Sequence, residues 1–202
     1  MMLSPFDPQH QSKNLDARIT VALERISEAF RVMLWETGKK HKLSPIQVQL
    51  LIFLRYHEKG HCTITCLSEE FAMSKPTISE VVKTLGGKNL IQKVGAENDS
   101  RSFYIQLSPK GKDLAEALGG FSNQLCAQFK NSQEVHKEAF YQMLLSMMTG
   151  LRNDKIIKRQ RMCPSCEHLS VKKNSSYCEK LTMDLSPHTY LVDCCSHQEK
   201  KA

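Results

Sequence analysis

The sequence predicts a mainly α-helical fold with one small β hairpin, followed by a short cysteine-rich segment. Three observations lead there. Apolar residues recur at steps of three and four through most of residues 13 to 155, which is the helical period. The period changes to two only between Leu90 and Leu107. Cys163, Cys166, Cys178, Cys194 and Cys195 crowd the last 40 of the 202 residues, whereas Cys62, Cys66 and Cys126 are scattered before them.

Composition narrows the function classes. A hydrophobic fraction of 41% suffices for a buried core. The longest apolar run, Leu50 to Leu54, falls far short of the roughly 20 residues of a membrane-spanning helix. The opening Met1 to Pro8 has neither the basic nor the apolar stretch of a secretory signal, so a cytoplasmic protein with no membrane partner is expected. Lys and Arg number 28 against 21 acids, a net charge of +7 that favours a polyanionic partner. A solvated basic surface gives the same figure, so charge alone does not choose. In a reducing compartment, clustered thiols read as metal ligands or redox groups before disulfides. These shifts divide the chain into an arm (1–12), a helical domain (13–158) and a tail (159–202).

Each element has its own signal. Leu15, Ile19, Leu23, Ile26, Phe30 and Met33 make a stripe from residue 13 to 36, closed by the basic stretch Lys39 to Lys42. Ser44 and Pro45 open a second helix reaching about His57. After the extended link Cys62 to Thr65, Thr65 is placed to cap a brief helix through Phe71. Ser74 caps the next, with Pro76 in its first turn and Ile78, Val81, Val82 and Leu85 facing inward. Gly86 and Gly87 weaken its last turn, and Asn89 takes the left-handed terminal position. Leu90 to Val94 and Phe103 to Leu107 alternate as strands around the polar turn Gly95 to Arg101. Ser108 and Pro109 start a long helix with Leu114, Leu118, Phe121, Leu125 and Phe129 on one side. A last helix carries Phe140, Met143, Leu144, Met147 and Leu151, and its methionines, Met148 included, read as core filling. Two short helices, a hairpin with a charged tip and three long flanking helices describe a winged helix-turn-helix between dimerisation helices.

The stretch Leu67-Ser68-Glu69-Glu70-Phe71-Ala72-Met73-Ser74-Lys75-Pro76-Thr77-Ile78-Ser79, then Leu90-Ile91, Asp99-Ser100-Arg101 and Leu107-Ser108-Pro109-Lys110-Gly111, resembles the MarR family of bacterial transcription regulators. The resemblance spans roughly residues 13 to 155 and lies in the order of motifs. It implies a dimeric, DNA-binding regulator, most often a repressor, on a pseudo-palindromic operator. Where that family often carries two arginines at the wing tip, this chain has Arg101 alone.

The residues support that placement independently. Ser74, Lys75, Pro76, Thr77 and Ser79 put small hydroxyls and a cation on the N-terminal turns of a helix, the part that enters a major groove. Such hydroxyls bond base edges or phosphates, so they position more than they discriminate. Lys75 and Lys83 suit phosphates, and Arg101 suits a narrow minor groove, with Asp99 holding the tip. Glu80 is an unfavourable charge on the same face. A wing-helix serving as a protein adaptor would share every cap and core residue, and it is the alternative function.

The tail reads C-x2-C, eleven residues, Cys178, fifteen residues, Cys194. Two thiolates separated by two residues clasp one metal from a tight turn, and two distant ones complete a tetrahedron, so Cys163, Cys166, Cys178 and Cys194 are the candidate ligands. Zinc in a closed thiolate site is the first expectation. An iron–sulfur cluster, suggested by Cys163-Pro164 and the irregular spacing, and a metal-free thiol pair are the alternatives. Cys195 or His197 could replace Cys194. Tail loading or oxidation is expected to shift the adjoining helix through the basic link Lys155, Lys158, Arg159 and Arg161. Cys126 reads as packing, and Cys66 as a small buried group with Cys62 incidental. No catalytic motif with supporting spacing appears, so an enzyme, such as a thiol or metal oxidoreductase, is not expected.

Overall fold

The computed structural model describes residues 3–96, 99–157, 159, 161–172 and 175–200, with the backbone alone at residues 96 and 99–102. Lys158 of the expected basic link lies outside the described residues, as do the side chains of Asp99 and Arg101.

The arm is ordered as α1 (Pro8–Lys13), capped by Asp7, whose carboxylate accepts from the Gln9 N–H at 2.9 Å. The long helix α2 (Leu15–Lys40) follows, capped by Asn14, and then α3 (Pro45–Tyr56), where Gln47 reaches back to the Ser44 N–H at 3.1 Å. A 3-10 turn (Lys59–His61) leads to α4 (Ile64–Glu70) and α5 (Lys75–Gly87). Strands β1 (Ile91–Ala96) and β2 (Asp99–Leu107) pair antiparallel, with Ile91 opposite Leu107 and Lys93 opposite Ile105. Helix α6 (Pro109–Leu118), a 3-10 turn (Gly119–Ser122), α7 (Asn123–Ala127) and α8 (Glu134–Asn153) complete the helical domain. In the tail a 3-10 turn (Cys163–Ser165) precedes β3 (Leu169–Lys172), β4 (Ser175–Cys178) and β5 (Met183–Leu185), which form an antiparallel sheet in sequence order.

The capping signals at Ser74 and Ser108 act as expected, accepting from the Thr77 and Gly111 N–H groups at 3.2 and 3.0 Å. Asn89 takes φ 56°, as its place after α5 requires. The core gathers Val48, Leu50 and Leu51 of α3 with Leu67, Ile78, Leu85, Ile105 and Leu118, all fully buried. The Ile105 N–H donates to the Cys62 carbonyl at 2.8 Å, so the hairpin is tied to the link before α4. The wing is thereby fixed beside the two short helices.

Several local expectations need correction. Thr63, not Thr65, caps α4, accepting from the Cys66 N–H at 3.2 Å, because the chain is still extended at Thr63 and already helical at Ile64. The long helix expected from Pro109 breaks at Gly119 and Gly120, the poorest helix formers after Pro. The break lets Phe121 turn in against Phe30, with ring centroids 5.0 Å apart. It also leaves Cys126 exposed on the single chain, not in its core. Of the C-x3-C pair, Cys62 is the buried member and Cys66 is half-buried, since α4 begins one residue after Thr63 and turns Cys66 outward. Met143 and Met147 are exposed on the single chain and do not fill its core.

Gly111 sits where α6 crosses the entry to the hairpin, and a Cβ there would lie 1.9 Å from the Leu90 carbonyl oxygen. Overpacking against rigid backbone costs roughly 1–3 kcal/mol. Gly111→Ala is therefore expected to lower the thermal midpoint by several degrees, read by circular dichroism, while Gly86→Ala, which meets open space, raises or preserves it.

Candidate nucleic-acid interface and cysteine site

Helix α5 is two-faced. Ile78, Val82 and Leu85 are buried, whereas Lys75, Pro76, Thr77, Ser79 and Lys83 are exposed. The expected reading residues therefore share one open surface at and beyond the N-terminus of α5. The Ser74 and Thr77 hydroxyls hydrogen-bond each other at 2.7 Å, so both already hold the cap together. Lys83 lies 3.8 Å from Glu80, but both side chains are largely exposed. Such a pair is worth little, and Lys83 can turn to a stronger anion. In the hairpin, Asp99 lies opposite Ala96, next to the register shift at Gly95 and Ala96, so Arg101 stands in β2 close to the tip. Lys93 rests over the Phe103 ring, 4.7 Å from its centroid, adding a cation to the wing.

The tail gathers its thiols. Cys163, Cys166, Cys178 and Cys194 are all buried and line one apolar cavity of about 60 Å³ with Leu169, Leu181, Met183, Leu185 and Leu191. Cys195 is exposed, and the His197 ring faces the Ser165 hydroxyl at 3.0 Å. Backbone N–H groups point at two of the sulfurs, Leu191 to Cys163 at 3.2 Å and Leu181 to Cys178 at 3.5 Å. Burial raises the Cys163 and Cys194 thiols above their usual range, with the Leu191 N–H opposing it at Cys163. Among the described residues, no three His, Cys, Asp or Glu side chains converge closely enough to hold a single ion.

Sequence reasoning missed how the tail seats on the helical domain. Arg161 is 2% exposed, its guanidinium 4.7 Å above the Phe53 ring centroid, and it pairs with Glu70 of α4 and, at 3.8 Å, with Asp193. Asp193 accepts from the His57 Nε2 at 2.9 Å, and the His57 ring stacks on Phe53 with centroids 3.8 Å apart. Burial opposes ionisation of Asp193, but His57 and Arg161 more than offset it and hold the carboxyl below its usual range. Arg159 reaches Glu69 at 2.9 Å, and the Ser196 hydroxyl donates to Glu58 at 2.9 Å. A second set of contacts joins the tail to α8: the Tyr141 hydroxyl donates to the Tyr190 carbonyl, and Arg152 pairs with Glu199. The sequence signal for the anchor was present but ambiguous: Arg161 read as one more member of a basic link.

Two short helices, the second open on one side, with a hairpin fixed beside them, define a winged helix-turn-helix. Residues 41–102, which hold α3 to α5 and most of the hairpin, match the MarR family. The chain is 25% identical over 84 residues to the HTH-type transcriptional regulator SarZ of Staphylococcus epidermidis, covering 42% of this chain and 57% of that protein. The chain thus spans little more than half the length of that relative. Among solved structures, the MepR–DNA complex of S. aureus superposes with a TM-score of 0.56 at 21% identity, covering 65% of this chain and 97% of that one. A MarR/EmrR family transcriptional regulator from Acinetobacter sp. ADP1 gives 0.57 at 19% identity, covering 69% and 99%. These likenesses establish the fold. Among the described residues, no helix is long and apolar enough to cross a membrane.

Two outcomes follow from the anchor and its surroundings. Removing one partner of a buried pair leaves an uncompensated charge and costs about 3–5 kcal/mol. Among the described residues Arg161 has no hydrogen-bond partner at Nε or Nη2, so Glu70→Ala is expected to fall in that range by chemical denaturation, with Glu70→Asp recovering part. Burial pushes the Cys62 thiol up to about 11, although Arg161 opposes it. Under native conditions at neutral pH a maleimide should label the exposed Cys126 and Cys195 and spare Cys62, as peptide mass spectrometry would read.

Proposed function

We propose that this chain is a DNA-binding transcriptional regulator of the MarR type, working as a homodimer and most simply as a repressor. One observation carries the reading: the exposed N-terminal face of α5, with Lys75, Pro76, Thr77, Ser79 and Lys83, stands beside a hairpin that carries Lys93 and Arg101 and that the core holds in place. Helix α5 supplies contacts in the major groove, and the hairpin with Lys93 and Arg101 supplies contacts to the flanking backbone and minor groove. The fold shared with the MepR–DNA complex and the match of residues 41–102 to the MarR family support it. A protein that fills both grooves of its operator blocks access to it, and repression is the mode this implies.

Dimerisation is supported by apolar surface that a single chain leaves uncovered. Helix α2 exposes Leu15, Ile26, Val32 and Trp35, and α8 exposes Val135, Phe140, Met143 and Met147. Leu145 is the sole buried residue among the described residues of α8. Long helices with apolar sides of this extent belong in an interface. A two-fold dimer places its two α5 helices on half-sites about 34–36 Å apart, one turn of duplex.

A binding titration on random-sequence duplex at two salt concentrations tests the reading. Affinity is expected to fall steeply with salt, and Lys75→Ala or Lys83→Ala should lessen the logarithmic slope by about 0.9 for each phosphate the variant no longer neutralises. Binding that ignores salt, or none in dilute buffer, would favour the protein adaptor. Sedimentation should give a dimer that Met143→Glu combined with Met147→Glu converts to monomer.

A further inference from the structure

We propose that Cys163, Cys166, Cys178 and Cys194 hold an iron–sulfur cluster, and that its occupancy sets how firmly the tail grips α4, the helix preceding the DNA-reading helix. The cluster assignment stands on the tail alone; the coupling rests on the DNA-binding reading.

The cavity distinguishes a cluster from a single ion. A tetrahedral zinc lies about 2.3 Å from each of four sulfurs, which then touch it and leave no void between them. Here the four thiols stand apart around a space of about 60 Å³, and no three of the described ligand-type side chains come within range of one ion. Four buried thiols around one apolar space suit an occupant that binds sulfur and is larger than a single ion. Water is a poor one. The lining beyond the sulfurs is chiefly aliphatic, from Leu169, Leu181, Met183, Leu185 and Leu191, with Thr189 already engaged through its hydroxyl by Ser186, and a buried water needs two or more polar partners. A polynuclear iron–sulfide body, bulky, soft and bound by thiolates, meets each feature: four cysteines, room between them, and a mainly aliphatic shell. The N–H groups of Leu191 and Leu181 donate to Cys163 and Cys178, the arrangement that stabilises charged sulfur and tunes a cluster.

The same ligands carry the anchor to the helix-turn-helix. Cys194 follows Asp193 directly, and its N–H donates to the Arg161 carbonyl at 3.0 Å, where residues 161 and 193 form a parallel bridge. Cys163 lies two residues after Arg161. From this bridge Arg161 reaches Glu70, Asp193 reaches His57, and Arg159 reaches Glu69. The tail's own core consists of Cys163, Cys178 and Leu185 with Leu169 and Tyr190 against it. That is too little apolar area to order a segment of this length, so binding energy at the thiols becomes folding energy of the tail. Loading holds residues 161 and 193 side by side; loss of the cluster frees them and releases Glu69 and Glu70 at the end of α4. The sequence led us to expect transmission through the helix next to the tail, whereas the shortest structural route runs into the helix-turn-helix itself.

The test uses the full chain purified without oxygen, read by visible absorption and by iron and acid-labile sulfide analysis. A brown protein with matched iron and sulfide is expected, with Cys178→Ala losing both and Cys195→Ala keeping both. A colourless protein carrying one zinc per chain, or one with neither metal nor sulfide, would overturn the assignment. So would Cys178→Ala that retains its iron. For the coupling, duplex affinity is measured on loaded protein and on the same preparation after chelation. A change of about tenfold is expected, within the usual span of site-to-site coupling, and Glu69→Gln should shrink it while leaving iron content intact. Equal affinities refute the coupling. If neither form binds duplex, the coupling falls with the DNA-binding reading, and the iron and sulfide analysis still decides the cluster.

Discussion

Helix α3 has to be covered on every side, and the architecture follows from that requirement. Its sequence from Pro45 to Tyr56 is apolar almost all round, and a helix of that kind is stable only when enclosed. Val48, Leu50 and Leu51 are fully buried by the winged unit, against Leu67, Ile78, Leu85, Ile105 and Leu118. The remaining end, Phe53 and His57, is capped by the tail through Arg161 and Asp193. A single helix therefore joins the winged half of the molecule to the cysteine-bearing half.

The anchor between the halves is electrostatic at its centre and apolar at its edge. Arg161 is desolvated on the Phe53 ring, which makes its pairing with Glu70 strong and also makes it intolerant of losing that partner. Asp193 completes the arrangement by pairing with Arg161 and accepting from His57. The outer pairs, Arg159 with Glu69 and Arg152 with Glu199, are more exposed and contribute orientation more than energy.

The helix-turn-helix was legible because its signals are local. Ser44, Ser74 and Ser108 each precede a helix with Pro in its first turn, Asn89 marks a left-handed end, and the period of two marks the hairpin. The four thiols were legible as a group, because spacing and compartment chemistry single them out. Which member of an adjacent pair faces inward was less so. Cys194 against Cys195, and Cys62 against Cys66, differ by a rotation that only the surrounding packing decides. The break at Gly119 and Gly120 was masked by a helical apolar period that runs straight through it, yet Phe121 leaves that period to meet Phe30.

The amino-acid sequence by itself determined the order of elements from α2 through the hairpin, the inward and exposed faces of α5 and the identity of the clustered thiols. All of these depend on the period of neighbouring residues and the conformational preferences of single ones. Only the tertiary structure decided that Arg161 is a buried keystone, that Glu69 and Glu70 receive the tail, and that the sulfurs surround a void. The anchor joins residues some 90 to 140 positions apart, as in the pair Arg161–Glu70 and the pair His57–Asp193, and no local preference encodes a distance of that kind.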